Sequence, residues 1–182
     1  MSVLQRLTGF ISRFVLLCAL LLSASAHLQA QTPLGPQPDL RLLIDISGSM
    51  KESDPDNLRG PALELIVRLL PDGARAGVWI FGEDVQQIVP HQVVDAQWRE
   101  RALDAVARID NSGQRTNIPA ALAAATYDLG SMDPTYRTSV VLLTDGKVDL
   151  SASPMANATA ARDLLANTAP ELGATGIPVH TI

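Results

Sequence analysis

The sequence holds one cysteine, Cys18, two lysines, Lys51 and Lys147, and only 4% aromatic residues. A lone thiol cannot close an internal disulfide, so the fold must be held by packing. The three histidines, His27, His91 and His180, have no second ligand at zinc-type spacing. His27 sits beside a cleavage point, His91 is expected in a loop and His180 in the last strand. Neither G-x-G-x-x-G nor G-x-x-x-x-G-K-[ST] occurs, so the usual phosphate cradles of nucleotide-binding folds are missing. Positive charge is scarce as well. Without Arg6 and Arg13 the chain keeps 12 of its 14 basic residues against 19 acidic ones, a net charge of −7, which argues against nucleic acid as a partner.

The N terminus reads as a secretory signal. MSVLQRLTGFISRF carries Arg6 and Arg13 as its only charges, VLLCALLL follows, and Ser23-Ala24-Ser25-Ala26 supplies small residues for cleavage after Ala26, with Ala30 as the second candidate. The apolar run is short for a bilayer span. Cys18 lies inside it, and Leu17 is too large for a lipoprotein signal. Arginine makes up twelve of the basic residues and alanine is abundant, which points to a GC-rich bacterial genome. The expectation is therefore an exported protein, periplasmic or cell-surface: residues 1–26 a signal peptide, 27–38 a proline-rich linker, 39–182 one domain with a real core.

LRLLIDI, from Leu40, is a continuous apolar run of strand length, as expected of a central strand covered on both faces. Leu58, Ala62, Leu65, Ile66 and Leu69 then follow helical spacing from Asn57 to Leu70. AGVWIF and VQQIV, joined by Gly82-Glu83-Asp84, predict an antiparallel pair at a sheet edge. Asp95 is placed to cap a helix running to about Ile109. An alanine-rich helix is expected from Pro119 to Leu129, a buried strand in RTSVVLLTDG, a helix from about Ala156 to Leu172, and a strand in GIPVHTI. Trp79 and Trp98 read as core. The fold class is α/β: a doubly wound, mostly parallel sheet with one antiparallel edge strand and helices on both faces. Ligands in such sheets bind beyond the carboxyl ends of the strands, where strand order reverses.

Both of the most apolar strands end in an aspartate, Asp45 and Asp145. Asp45, Ser47 and Ser49 form D-x-S-x-S, and residues two apart in an extended segment point the same way. Taken alone, the serines could equally cap the next helix. Two further pieces stand where a site would need them: Ser112-Gly113-Gln114-Arg115-Thr116-Asn117 and Thr144-Asp145-Gly146. Together these motifs resemble the von Willebrand factor type A domain, with its metal-ion-dependent adhesion site, from Leu40 to Ile182.

That resemblance implies a Rossmann-like fold and a non-enzymatic module that holds a divalent metal on Asp45, Ser47, Ser49, Thr116 and Asp145. The metal offers an open position to a Glu or Asp of a protein partner. Mg²⁺ suits hard oxygen ligands with few carboxylates, and Mn²⁺ and Ca²⁺ are alternatives. An acidic rim is expected from Glu52, Asp54 and Asp56 after the first strand, Glu83 and Asp84 after the second, and Asp149 after the fourth. The competing functions are Mg²⁺-dependent phosphoryl transfer on Asp45 and a structural subunit of a membrane-associated complex. Domains of this family carry a further helix and edge strand past the last strand here. The chain therefore reads as C-terminally truncated, with membrane association possible through the missing region.

Overall fold

The computed structural model describes residues 35–128 and 133–182. The signal sequence, its cleavage points, Cys18, His27, most of the linker and Leu129 lie outside the described residues. The sheet has five strands in the order β3-β2-β1-β4-β5. They are β1 (Gln37–Asp45), β2 (Arg75–Phe81), β3 (Val85–Val93), β4 (Tyr136–Leu143) and β5 (Val179–Thr181). β1 pairs in parallel with both β2 and β4, β5 is parallel to β4, and β3 runs antiparallel along β2. The central strand and the antiparallel edge are where the apolar runs place them. β1 starts at Gln37, two residues before the expected domain boundary, because β4 pairs with Gln37 and Pro38 while β2 joins only at Asp39. Pro38 thus has a neighbour on one side only, which its missing N–H tolerates.

The described residues form six α-helices: α1 (Met50–Ser53), α2 (Arg59–Leu69), α3 (Ala96–Ala105), α4 (Ile118–Ala125), α5 (Pro154–Asp163) and α6 (Ala169–Ala174). Alternation along β1 splits the core into two layers. Leu42 and Ile44 pack with Leu63 and Val67 of α2 and with Trp98 and Ala102 of α3. Leu43 packs on the opposite face with Ile118, Ala121 and Leu122 of α4 and Leu172 of α6. Asp95 does cap α3, accepting from the Trp98 N–H at 2.7 Å, and Trp79 and Trp98 are buried.

Three expectations need correction. The span of α2 holds, but its buried stripe is Leu63, Val67 and then Leu70, while Leu58, Leu65 and Leu69 are exposed. Apolar residues surround this helix, so helical spacing alone does not choose the buried stripe, and the expected one is not it. The one that won contains Arg59, whose charge marks it as a surface residue when only sequence is read. The expected Ala156–Leu172 helix is interrupted by a π turn at Leu164–Thr168 between α5 and α6. Pro170 lacks an N–H and its ring crowds the carbonyl four residues back, and a wider turn just before it relieves both. His91, finally, lies in β3 rather than a loop.

Pro90 hid that strand's continuation. β2 and β3 shift register between Ala76↔Gln92 and Val78↔Val89, so Gly77 alone faces both Pro90 and His91 in a bulge. A Cβ on Gly77 would stand 2.9 Å from the His91 Cβ and 2.7 Å from the Trp79 ring, so only glycine fits. Through that gap the His91 Nε2 reaches Asp39 Oδ1 at 2.6 Å. Asp39 also accepts from Arg41 at 3.0 Å and from the Thr138 hydroxyl at 2.9 Å. Arg41 donates as well to the Ala125 carbonyl at 2.6 Å and to Asp128 at 2.5 Å.

Burial pushes the Asp39 carboxyl up, but the hydrogen bonds and charges of His91 and Arg41 outweigh it and hold the group at about 2. A depressed folded pKa contributes stability above the unfolded value, and that stability is lost as pH falls through the folded one. Between pH ~4 and ~2 the wild type should lose about 2 kcal/mol that the Asp39→Asn variant does not lose. Urea midpoints measured across that range check this, and parallel pH slopes in the two proteins would sink it.

Candidate functional site

The site is built where strand order reverses, at the carboxyl ends of β1 and β4. Asp45 closes β1 and is fully buried. One carboxylate oxygen accepts the Ser47 N–H at 2.8 Å, the turn typical of an aspartate leaving a strand. The other accepts the Thr144 hydroxyl at 2.6 Å, which ties β1 to β4. The Ser47 and Ser49 hydroxyls lie 3.1 Å apart. Ser49 stands at the N-cap of α1 without a side-chain capping bond, so capping does not account for that serine.

A second loop is drawn onto this end by backbone contacts. Gly113 donates to the Ile46 carbonyl at 2.9 Å and forms a parallel bridge with Ser47. A Cβ on Gly113 would lie 2.9 Å from the Ile46 carbonyl oxygen and 3.3 Å from the Gly82 Cα, so a side chain there would push the loop off the strand end. Thr116 follows, buried, and pairs antiparallel with Asp149 through bonds of 2.9 and 3.1 Å. Asn117, not Thr116, caps α4, accepting from the Ala120 N–H at 3.1 Å. Asp145 is exposed one residue past Thr144 and accepts the Lys147 N–H at 3.2 Å.

Hydrogen bonds thus join Asp45 to Ser47 and Ser47 to Ser49. Backbone pairing brings Thr116 to the same end of the sheet, and chain continuity with Thr144 brings Asp145. Among the described residues no hydrogen bond links the Thr116 or Asp145 side chain to the other three. Nor do three His, Cys, Asp or Glu side chains gather around one point among them. A cation here would be held largely by hydroxyls.

The acidic residues expected at the rim differ in their contacts. Glu52, Asp56, Glu83 and Asp84 are exposed. Asp54 instead accepts from Arg59 Nε at 2.7 Å and from the Leu58 N–H at 2.8 Å. Asp149 accepts from Arg115 at 3.2 Å and Asn157 at 2.8 Å. Both are committed to holding loops. Sequence reading missed Thr144, although it lies in the same T-D-G motif, and it missed Arg59, which is buried beneath the site. No sequence signal marked Arg59, because the stripe that buries it was not the expected one.

The von Willebrand factor type A domain matches residues 39–182. Among solved structures the chain is similar to a von Willebrand factor type A protein from Catenulispora acidiphila, with 24% identity and TM-score 0.61 over 80% of this chain and 33% of that one. It is also similar to proximal thread matrix protein 1 of the mussel byssus with a zinc-occupied MIDAS motif, at 21% identity and TM-score 0.56 over 81% and 38%. A third likeness is to the conserved hypothetical protein BatB of Bacteroides thetaiotaomicron, at 22% identity and TM-score 0.52 over 79% and 65%. These identities speak to the fold alone. The chain spans about a third of the length of the first two structures. No curated protein matches the chain.

Proposed function

The chain belongs to the von Willebrand factor type A domain family, and on that premise we propose that it is an exported, non-enzymatic module that binds a protein partner through a divalent cation. Asp45, Ser47, Ser49, Thr116 and Asp145 would hold the cation, with Mg²⁺ the first choice. When bound, the cation supplies an electrophilic position for a carboxylate of the partner.

The observation that carries this reading is a contrast within one strand. Asp39 and Asp45 are both buried carboxylates of β1. Asp39 is met by Arg41 and His91. Asp45 receives one N–H and one hydroxyl, and among the described residues no ion pair reaches it. A buried carboxylate is stable when paired or when it ligates a metal. The donor set around Asp45, with two serine hydroxyls, a threonine and one further aspartate, suits a small hard cation. The zinc-occupied motif of the mussel protein supports a divalent ion at such a site without favouring Mg²⁺. Phosphoryl transfer fits less well, because the full burial of Asp45 and the bonds on both its oxygens oppose nucleophilic attack.

The partner would bring Glu or Asp to the cation within an otherwise basic surface, since exposed Glu52, Glu83 and Asp84 would repel a wholly acidic one. Export rests on the signal read in residues 1–26, which leads to the periplasm or the cell surface.

Calorimetric titration with Mg²⁺ and Mn²⁺ tests the site. Partners that merely touch a metal ligand are worth about 10- to 100-fold in affinity, so Asp45→Ala should cost on the order of 100-fold or more. Equal binding by wild type and variant, or no binding by either, would refute the reading. Capture of a partner from membrane extract should likewise be lost in EDTA.

A further inference from the structure

We infer that Arg59 is the positioning residue of the cation site, an assignment that rests on the reading just given. Its side chain is 4% exposed, and all three nitrogens of the fork donate, through four hydrogen bonds. Nε donates to Asp54 Oδ2 at 2.7 Å. One terminal nitrogen donates to the main-chain carbonyl of Asp45. The other donates to Asn57 Oδ1 at 3.0 Å and to the Asn111 side-chain oxygen. These acceptors lie on three separate segments: the end of β1, the turn between α1 and α2, and the start of the loop that carries Thr116.

The supporting turn is shaped to make this possible. Asn57 has φ 51°, a left-handed backbone that asparagine tolerates better than most residues. In that conformation its side-chain oxygen faces Arg59 while its amide donates to the Ile109 carbonyl at 2.7 Å. Asn57 thus links Arg59 a second time to the approach of the Thr116 loop. Asp54 balances the charge of Arg59, so the pair adds no net charge beside the Asp45 carboxylate. What Arg59 contributes is geometry. It fixes the Asp45 peptide, and with it the direction in which the Asp45, Ser47 and Ser49 side chains leave β1. It also fixes the spacing from that strand end to the loop bearing Thr116. A planar fork with five fixed donors does this, and the three donors of a lysine ammonium, gathered at one point, do not.

The test uses Mn²⁺ as the probe, titrated into the full chain and followed by calorimetry and by electron paramagnetic resonance of the bound ion. Arg59→Lys keeps the charge and loses the fork, and Asn111→Ala removes one acceptor of four. Each should lower Mn²⁺ affinity by about tenfold, the usual cost of disturbing a ligand's support. Each should also alter the resonance of the bound ion while thermal melting stays cooperative. If Arg59 merely held the fold together, melting would fall but the affinity and spectrum of the native fraction would match wild type, which would overturn the assignment. Should Arg59→Lys fail to fold, Asn111→Ala decides alone. A wild type that takes up no Mn²⁺ removes the site and this role together, whereas wild-type binding with unchanged variants removes only the role of Arg59.

Discussion

Arg41→Ala is expected to cost roughly 3–5 kcal/mol of folding stability, the range seen when one member of a buried ion pair is removed. Arg41 is 1% exposed in the middle of the sheet and is the cation that meets both Asp39 and Asp128. Without it the Asp39 carboxylate keeps only His91 and Thr138, and the Ala125 carbonyl at the end of α4 loses a donor. Urea unfolding followed by tryptophan fluorescence measures the loss. Removing both charges together, as Arg41→Met with Asp39→Leu, should recover much of it, because the penalty comes from the orphaned charge. A loss under about 1 kcal/mol in Arg41→Ala would mean that the network is far less buried in solution.

The second large effect is Trp98→Ala, for which about 3–5 kcal/mol is expected from lost burial and the cavity left behind. Trp98 is fully buried among the residues that α2, α3 and the sheet share. Its indole N–H also donates to the Pro90 carbonyl at 3.0 Å, fastening α3 to the edge strand. Trp98→Phe separates the two contributions. It keeps most of the volume and gives up the hydrogen bond, whose acceptor residue lies at the surface, so about 1 kcal/mol should be lost. If Phe and Ala cost the same, packing is not what Trp98 supplies.

Much of this molecule is legible from local pattern. β1 and β4 each carry a short apolar stretch, and each of the site motifs is a short segment at a strand end, so composition along a few residues is enough to place them. What stayed hidden depends on partners distant in sequence or on breaks in periodicity. Arg59 looks like a surface residue until the acceptors at Asp45 and Asn111 are seen. Asp54 and Asp149 look like free rim carboxylates for the same reason, since Arg59, Arg115 and Asn157 are what occupy them. Pro90 ends a strand by ordinary rules, and only the bulge against Gly77 shows how β3 continues through His91. The stripe of α2 was ambiguous because Leu58, Leu65 and Leu69 are apolar yet face outward.

The alternation of β1 gives the strand an alignment mark of its own. Asp39, Arg41, Leu43 and Asp45 share one parity, while Leu40, Leu42 and Ile44 share the other. A slip of one residue against β2 and β4 would turn every side chain over. Arg41 and Asp39 would then enter the apolar layer around Leu63 and Trp98, away from His91 and Thr138. A slip of two keeps the faces but moves Arg41 to the level of Leu43, under the alanines of α4. Either shift buries charge without a partner, so a mispaired sheet is less stable than the native one. The charged residues of the central strand thus favour its native register over the neighbouring ones, independently of the loops at its carboxyl end.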